Sequence, residues 1–131
     1  MGLEDLLLDT AAVAIGGALG AVSRWLLARI VQDGHEFPVG TLAVNLLGSL
    51  LLGFVMGAAS LYGAFTRWQR LLIATGFAGA FTTFSTFMYE SFMYLLDWSI
   101  GEALLYIGIS IALGLLMIYA GYSLSAVVYR R

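Results

Sequence analysis

Four hydroxyl side chains alternate with aromatic rings in one uncharged stretch of the chain. The stretch covers residues 76–87 and holds Thr82, Thr83, Ser85 and Thr86 among four phenylalanines. Hydroxyl groups cost free energy in an apolar environment unless they find hydrogen-bonding partners, and the edge of an aromatic ring carries partial positive charge. This set of neutral donors is better suited to an anion that passes through a narrow pathway than to a metal cation.

A second polar row lies earlier in the chain. Thr41, Asn45 and Ser49 recur every four residues, so they share one face of a helix. The carboxamide of Asn45 offers two N–H donors without a charge, which suits a passing anion; the alternative is a hydrogen bond that joins two helices.

Two charged side chains lie toward the ends of apolar segments, where charge is unusual. Glu90 lies one helical turn after Phe87. It either pairs with Arg24 or a tyrosine or acts as the titrating acid of a proton-coupled carrier, and its place near the end of its segment favours pairing. Arg24 either extends to the lipid headgroups or attracts anions into a vestibule.

An enzymatic site is difficult to assemble from these residues. The chain has no cysteine, and its only histidine, His35, lies in a loop beside Asp33 and Glu36. Thiol chemistry is therefore excluded, no histidine is available to a membrane-embedded serine, and no convergent set of metal ligands is evident. The net charge of −2 gives no reason to expect a nucleic-acid partner.

The elements that position the polar residues are expected to be membrane-spanning helices. The chain has 131 residues, of which 61% are hydrophobic and 11% charged, whereas an ordinary soluble domain has about 25% charged residues. One crossing takes roughly 20 apolar residues. We therefore expect an all-α integral membrane protein with a single membrane domain, residues 1–131, and four transmembrane helices. The predicted spans are residues 6–30, 39–62, 71–96 and 103–129.

Glycines predict how these helices pack and where one of them breaks. Gly16 and Gly20 form a GxxxG pair that lets a second helix approach closely. Gly76 and Gly79, followed by two threonines, lower helix propensity in the middle of the third span. The third helix is therefore expected to be broken near the bilayer midplane.

The arginines show a weak bias between the two sides of the membrane, which slightly favours termini in the cytoplasm. With four spans, four arginines fall on the side of the termini and two on the other. This weak bias is compatible with insertion in both orientations. Because no internal repeat is present, an inverted symmetry partner would have to be a second copy of the chain.

Three stretches together carry a family resemblance. They are Gly-Gly-Ala-Leu-Gly-Ala at 16–21 followed by Arg24, Gly-Thr-Leu-Ala-Val-Asn-Leu-Leu-Gly-Ser at 40–49, and Gly-Phe-Ala-Gly-Ala-Phe-Thr-Thr-Phe-Ser-Thr-Phe at 76–87 followed by Glu90. They resemble the signature sequences of the Fluc/CrcB fluoride channels, in order and in three of the four spans. The resemblance implies an antiparallel, dual-topology homodimer with two pores that exports fluoride passively across the bacterial inner membrane.

The resemblance also implies which residues act. It places the paired pore phenylalanines on Phe84 and Phe87, and the broken third helix then binds a structural Na⁺ on the dimer two-fold axis through the backbone carbonyls of Gly79 and Thr82. The predicted fluoride pathway comprises Asn45, Phe84, Phe87, Thr41, Ser110, Thr83, Ser85 and Glu90, with Arg24 in the vestibule.

Two further classes of membrane protein compete with a channel. A proton-coupled exporter of the small-multidrug-resistance type is also a short four-span dimer, but it needs a glutamate in its first span, and residues 10–30 contain none. A purely structural membrane subunit would use its glycines only for packing and would carry no ion flux.

Overall fold

The protein consists of helices that are long and apolar enough to cross a membrane four times. The computed structural model describes residues 2–130, and within that range it contains no strand. The four candidate spans are Leu3–Gln32, Val39–Tyr62, Arg67–Leu96 and Ile100–Tyr129. The chain is therefore an all-helical, multi-pass membrane protein, as its composition predicts.

The helices are numbered along the chain, and the third span is divided into two. Helix α1 covers Leu3–Gln32 and α2 covers Val39–Tyr62. The third span begins with α3, residues 67–81, and continues with α4, Phe84–Leu96. Helix α5 covers Ile100–Tyr129. The observed first, third and fourth spans begin three to four residues before the predicted ones, because polar residues extend the helices beyond the apolar segments.

The third span is interrupted where the sequence predicts a break. Thr82 and Thr83 are extended, with φ/ψ of −87°/160° and −147°/114°. Before the break, Leu71–Ala78 forms a π-helix, a wider turn that often occurs at functional sites. After the break, the hydroxyl of Thr83 accepts the N–H of Thr86 and begins α4 as an N-cap.

Glycines let α1 lie directly against the backbone of α3. A side-chain carbon at Gly16 would overlap the carbonyl of Leu72, and one at Gly20 would overlap that of Phe77. The close approach predicted from the GxxxG pair is confirmed, and its partner is the third span.

A second close contact joins α2 to α5, which run parallel to each other. Gly53 lies against the backbone of Ile118, and Gly121 on α5 lies against the backbone of Leu50. The break of the third span lies against α2. At this contact, Gly48 leaves room for the methyl group of Thr82.

Candidate functional site

Asn45 on α2 binds the backbone at the break. Its Oδ1 accepts the N–H of Thr83 at 2.7 Å, and its Nδ2 donates to the carbonyl of Thr83 at 3.1 Å. Because a backbone N–H only donates and a carbonyl only accepts, these two bonds fix the orientation of the amide. Asn45 thus forms a hydrogen bond between helices, the alternative that the sequence left open, and it keeps one N–H beside the break.

At the break, two carbonyl groups lose the N–H donors that a continuous helix would give them. In an α-helix the N–H of Thr83 would bond to the carbonyl of Gly79, and the N–H of Thr86 to that of Thr82. Here the first N–H bonds to Asn45, at 2.7 Å, and the second to the hydroxyl of Thr83, at 3.2 Å. The two carbonyls that lose these donors are those that the family resemblance implies as cation ligands.

The neighbouring carbonyls at the end of α3 have partners. The Nε of Arg24 donates to the carbonyl of Ala80 at 3.0 Å, and the hydroxyl of Thr82 donates to that of Ala78 at 3.0 Å. A positive charge at the C-terminal end of a helix also interacts favourably with the helix dipole. Arg24 therefore stabilises the end of α3 from α1.

Glu90 accepts hydrogen bonds through both of its oxygens. The hydroxyl of Thr41 donates to Oε1 and the hydroxyl of Tyr106 donates to Oε2, both at 2.7 Å. The pairing of Glu90 with a tyrosine is confirmed, and the tyrosine is fully buried on α5. Sequence reasoning missed Tyr106 as a site residue, although its place four residues before Ser110, on the same helix face, was a usable signal.

The two predicted pore phenylalanines differ sharply in exposure. Phe87 is 7% exposed, and its ring centre lies 5.1 Å from that of Tyr106 in an edge-to-face arrangement. Phe84 is 73% exposed in the single chain and lies 6.3 Å from Phe87. One ring is therefore part of the packed interior, and the other projects from the surface beside the break.

Ser110 carries an unpaired buried hydroxyl. Within residues 2–130, its Oγ is the only buried side-chain oxygen or nitrogen without a hydrogen-bonding partner. An unsatisfied buried polar group costs about 1–3 kcal/mol. Such a group in a membrane span points to a functional role, and a transient partner would satisfy it.

Two cavities lie on either side of the break. The larger has a volume of about 650 Å³, and the smaller about 280 Å³. Thr83 lines both of them. The predicted residues that line the larger cavity are Arg24, Thr41, Thr83 and Glu90. Those that line the smaller cavity are Asn45, Gly79, Thr82, Thr83, Phe84 and Phe87. Ser85, which is exposed, and Ser110 line neither.

The side chains do not assemble a metal centre in the described part of the chain. Within residues 2–130, no three His, Cys, Asp or Glu side chains come together.

The fold and the site define a multi-pass helical membrane protein with a polar cluster at a broken third span. The family model of CrcB-like protein, Camphor Resistance (CrcB), matches residues 11–122. The chain therefore belongs to the CrcB-like family, and the resemblance seen in the sequence is confirmed.

Named relatives match over nearly the whole chain. The Fluoride-specific ion channel FluC of Methanocaldococcus jannaschii is 41% identical over 128 residues, which cover 98% of this chain and 99% of the relative. The protein of the same name from Thermus thermophilus is 46% identical over 126 residues, 95% of each chain. That from Hahella chejuensis is 47% identical over 120 residues, 88% of this chain and 93% of the relative.

Proposed function

We propose that the chain is a fluoride-selective channel, not an enzyme, which lets fluoride leave the cytoplasm passively across the bacterial inner membrane. The observation that carries the proposal is the near full-length similarity to relatives that are named fluoride-specific ion channels. Two forces drive the anion outward. One is the membrane potential, and the other is the concentration gradient that forms when fluoride enters as the neutral acid and accumulates in the cytoplasm.

The chemistry of the polar cluster supports conduction of a small anion. Fluoride is strongly hydrated, so a pore must replace its water with other donors. The remaining N–H of Asn45, the unpaired hydroxyl of Ser110 and the ring edges of Phe84 and Phe87 are donors of this kind. None of these donors is charged, so they do not trap the anion.

The two charged residues of the site fit an anion pathway. Both oxygens of Glu90 accept hydroxyl hydrogens, so the carboxyl group is held by Thr41 and Tyr106 on two neighbouring helices. Arg24 lines the larger cavity with Arg29 and offers an anion a positive charge there, although Glu36, Glu90 and Asp97 line the same cavity.

The assembly that we propose is an antiparallel homodimer with two pores. Phe84 and Ser85 are exposed on the single chain beside the smaller cavity, and Gly79 is exposed next to them. A second copy that covers this face would enclose Phe84 and complete the walls of the pathway. The weak bias of the arginines is compatible with insertion of the two copies in opposite orientations.

The same assembly has a place for a structural Na⁺ ion. The carbonyls of Gly79 and Thr82 have lost the donors that a continuous helix would give them, so their oxygens fit a hard cation. Because Gly79 is exposed, a two-fold axis near it would bring the carbonyls of both copies together. When bound, the ion supplies positive charge that holds the two breaks together.

Flux measurements on purified protein in liposomes test the proposed function. Liposomes loaded with potassium fluoride should release fluoride to an external fluoride electrode once a potassium ionophore balances the charge, and liposomes loaded with chloride should retain it. Protein-free liposomes are the control. Release without the ionophore would indicate electroneutral exchange, and no release at all from a folded protein would indicate a structural membrane subunit.

A further inference from the structure

The break in the third span depends on a side chain from another helix. Asn45 is the group that holds both the N–H and the carbonyl of Thr83. Without it, the N–H of Thr83 would have the carbonyl of Gly79 as an alternative acceptor, its partner in a continuous α-helix. The backbone at this point thus has two ways to satisfy the same donor.

We propose that Asn45 is a positioning residue for the cation site, because its carboxamide withholds the N–H of Thr83 from the carbonyl of Gly79 and leaves that oxygen free to bind a cation. The inference rests on the proposed function, of which the cation is a part. It assigns to Asn45 a role beyond that of a donor in the anion pathway.

The surroundings of Asn45 are shaped for this role. Gly48, close by on α2, makes room for the methyl group of Thr82, so the same helix contacts both residues of the break. The hydroxyls of Thr82 and Thr83 bond within the third span, to Ala78 and Thr86, and contribute no bond to α2. In the described part of the chain, Asn45 alone provides the side-chain hydrogen bonds from α2 to the break.

Cation binding and the orientation of Asn45 are consequently coupled. A cation at the carbonyl of Gly79 excludes the return of the Thr83 N–H, which keeps Asn45 bonded to the break. The bonded amide in turn holds its remaining N–H beside Phe84 and Phe87, at the smaller cavity. Coupling of this kind is reciprocal, so a change at Asn45 must alter the affinity for the cation.

Sodium-dependent thermal stability of the purified full-length protein tests the inference without relying on flux. The melting temperature is measured in detergent across a sodium titration, with choline keeping the ionic strength constant. A ligand that binds only the folded protein raises its stability with concentration, so the wild-type protein gives a titration midpoint. In Asn45→Ala the midpoint should rise by about tenfold or more, which corresponds to about 1.4 kcal/mol.

Two further variants separate positioning from other roles of the side chain. Asn45→Asp retains an oxygen that can accept the N–H of Thr83 and adds negative charge beside the proposed cation site, so its sodium midpoint should not rise. A rise as large as that in Asn45→Ala would overturn the inference. Ser49→Ala is the matched control, because Ser49 lies one turn away and lines the same cavity without a hydrogen bond to the break. Its midpoint should not change.

The possible outcomes distinguish this inference from the proposed function. If Asn45→Ala lowers the melting temperature equally at every sodium concentration, Asn45 is only a bond between helices and the inference is wrong. If wild-type protein shows no sodium effect, there is no cation to position and the inference is again wrong, while fluoride flux from the same sample decides separately whether the channel proposal stands. If Asn45→Ala does not fold, Asn45→Ser, whose shorter side chain has one oxygen that cannot occupy the positions of both Oδ1 and Nδ2, should give an intermediate shift; an unchanged midpoint would again overturn the inference.

Discussion

Tyr106 forms an aromatic cluster with Phe37, Phe87 and Tyr94. Removing its hydroxyl isolates the role of the bond between Tyr106 and Glu90. Tyr106→Phe deletes the donor to Oε2 of Glu90, a bond of 2.7 Å, and keeps the ring. The ring contacts with Phe87 at 5.1 Å and Phe37 at 5.4 Å are therefore retained. We expect a lower fluoride flux, because a carboxyl group released from one of its donors can swing toward the anion pathway and repel the anion.

The magnitude follows from the local geometry. Tyr106 is fully buried, whereas Glu90 is half-buried and lines the larger cavity, so water replaces the lost donor only in part. A buried acceptor left without its partner costs about 1–3 kcal/mol, while hydrogen bonds within membrane proteins average about 0.6 and reach about 1.7 kcal/mol. Because the ring stays and no cavity forms, we expect Tyr106→Phe to lower the free energy of unfolding by about 1–2 kcal/mol.

Denaturation in mixed micelles measures the stability, and the fluoride electrode measures the flux. Tyr94→Phe is the matched control, since Tyr94 belongs to the same aromatic cluster and its ring lies 6.4 Å from that of Tyr106. Both oxygens of Glu90 are bonded by Thr41 and Tyr106 and not by Tyr94, so the effect of this variant should stay within about 0.5 kcal/mol. Equal stability and equal flux in Tyr106→Phe and Tyr94→Phe would refute the reasoning about Glu90.

Two further predictions compare matched positions. Gly121→Ala should destabilise the protein by about 1–3 kcal/mol, because the new methyl group overlaps the backbone of α2. In Gly114→Ala the new methyl group meets no atom within 4 Å in the single chain, so this variant should be neutral or more stable by up to about 1 kcal/mol. Both stabilities are measured by the same denaturation in mixed micelles. An equal loss of stability in the two variants would contradict the close packing of Gly121 against α2. Phe84→Ile and Phe87→Ile should each abolish flux and leave the proposed dimer intact by size-exclusion chromatography, and normal flux in both would mean that the rings serve only packing.

The sequence predicts those features that depend on neighbouring residues. The four spans follow from apolar length, and the break at Thr82 and Thr83 follows from local glycines and β-branched residues. A tyrosine partner for Glu90 is predictable as a type of residue, and the only signal for Tyr106 is that it shares a helix face with Ser110. Arg24 bonds to the carbonyl of Ala80, which lies 56 residues further along the chain. Asn45 bonds to the backbone of Thr83, which lies 38 residues further along. No local pattern encodes contacts at such separations.

Polar groups at mid-span serve two purposes that the sequence cannot distinguish. Asn45 and Thr83 are as polar as Ser110, and each looks like a pathway residue when only its type and spacing are known. The hydrogen bonds separate them, because the first two shape the broken backbone while the hydroxyl of Ser110 is left without a partner in the described chain. In a hydrocarbon environment a satisfied group gains little from a passing ion, whereas an unsatisfied one gains a bond. Accounting for every hydrogen bond therefore leaves two donors for the proposed pathway, the hydroxyl of Ser110 and the remaining N–H of Asn45.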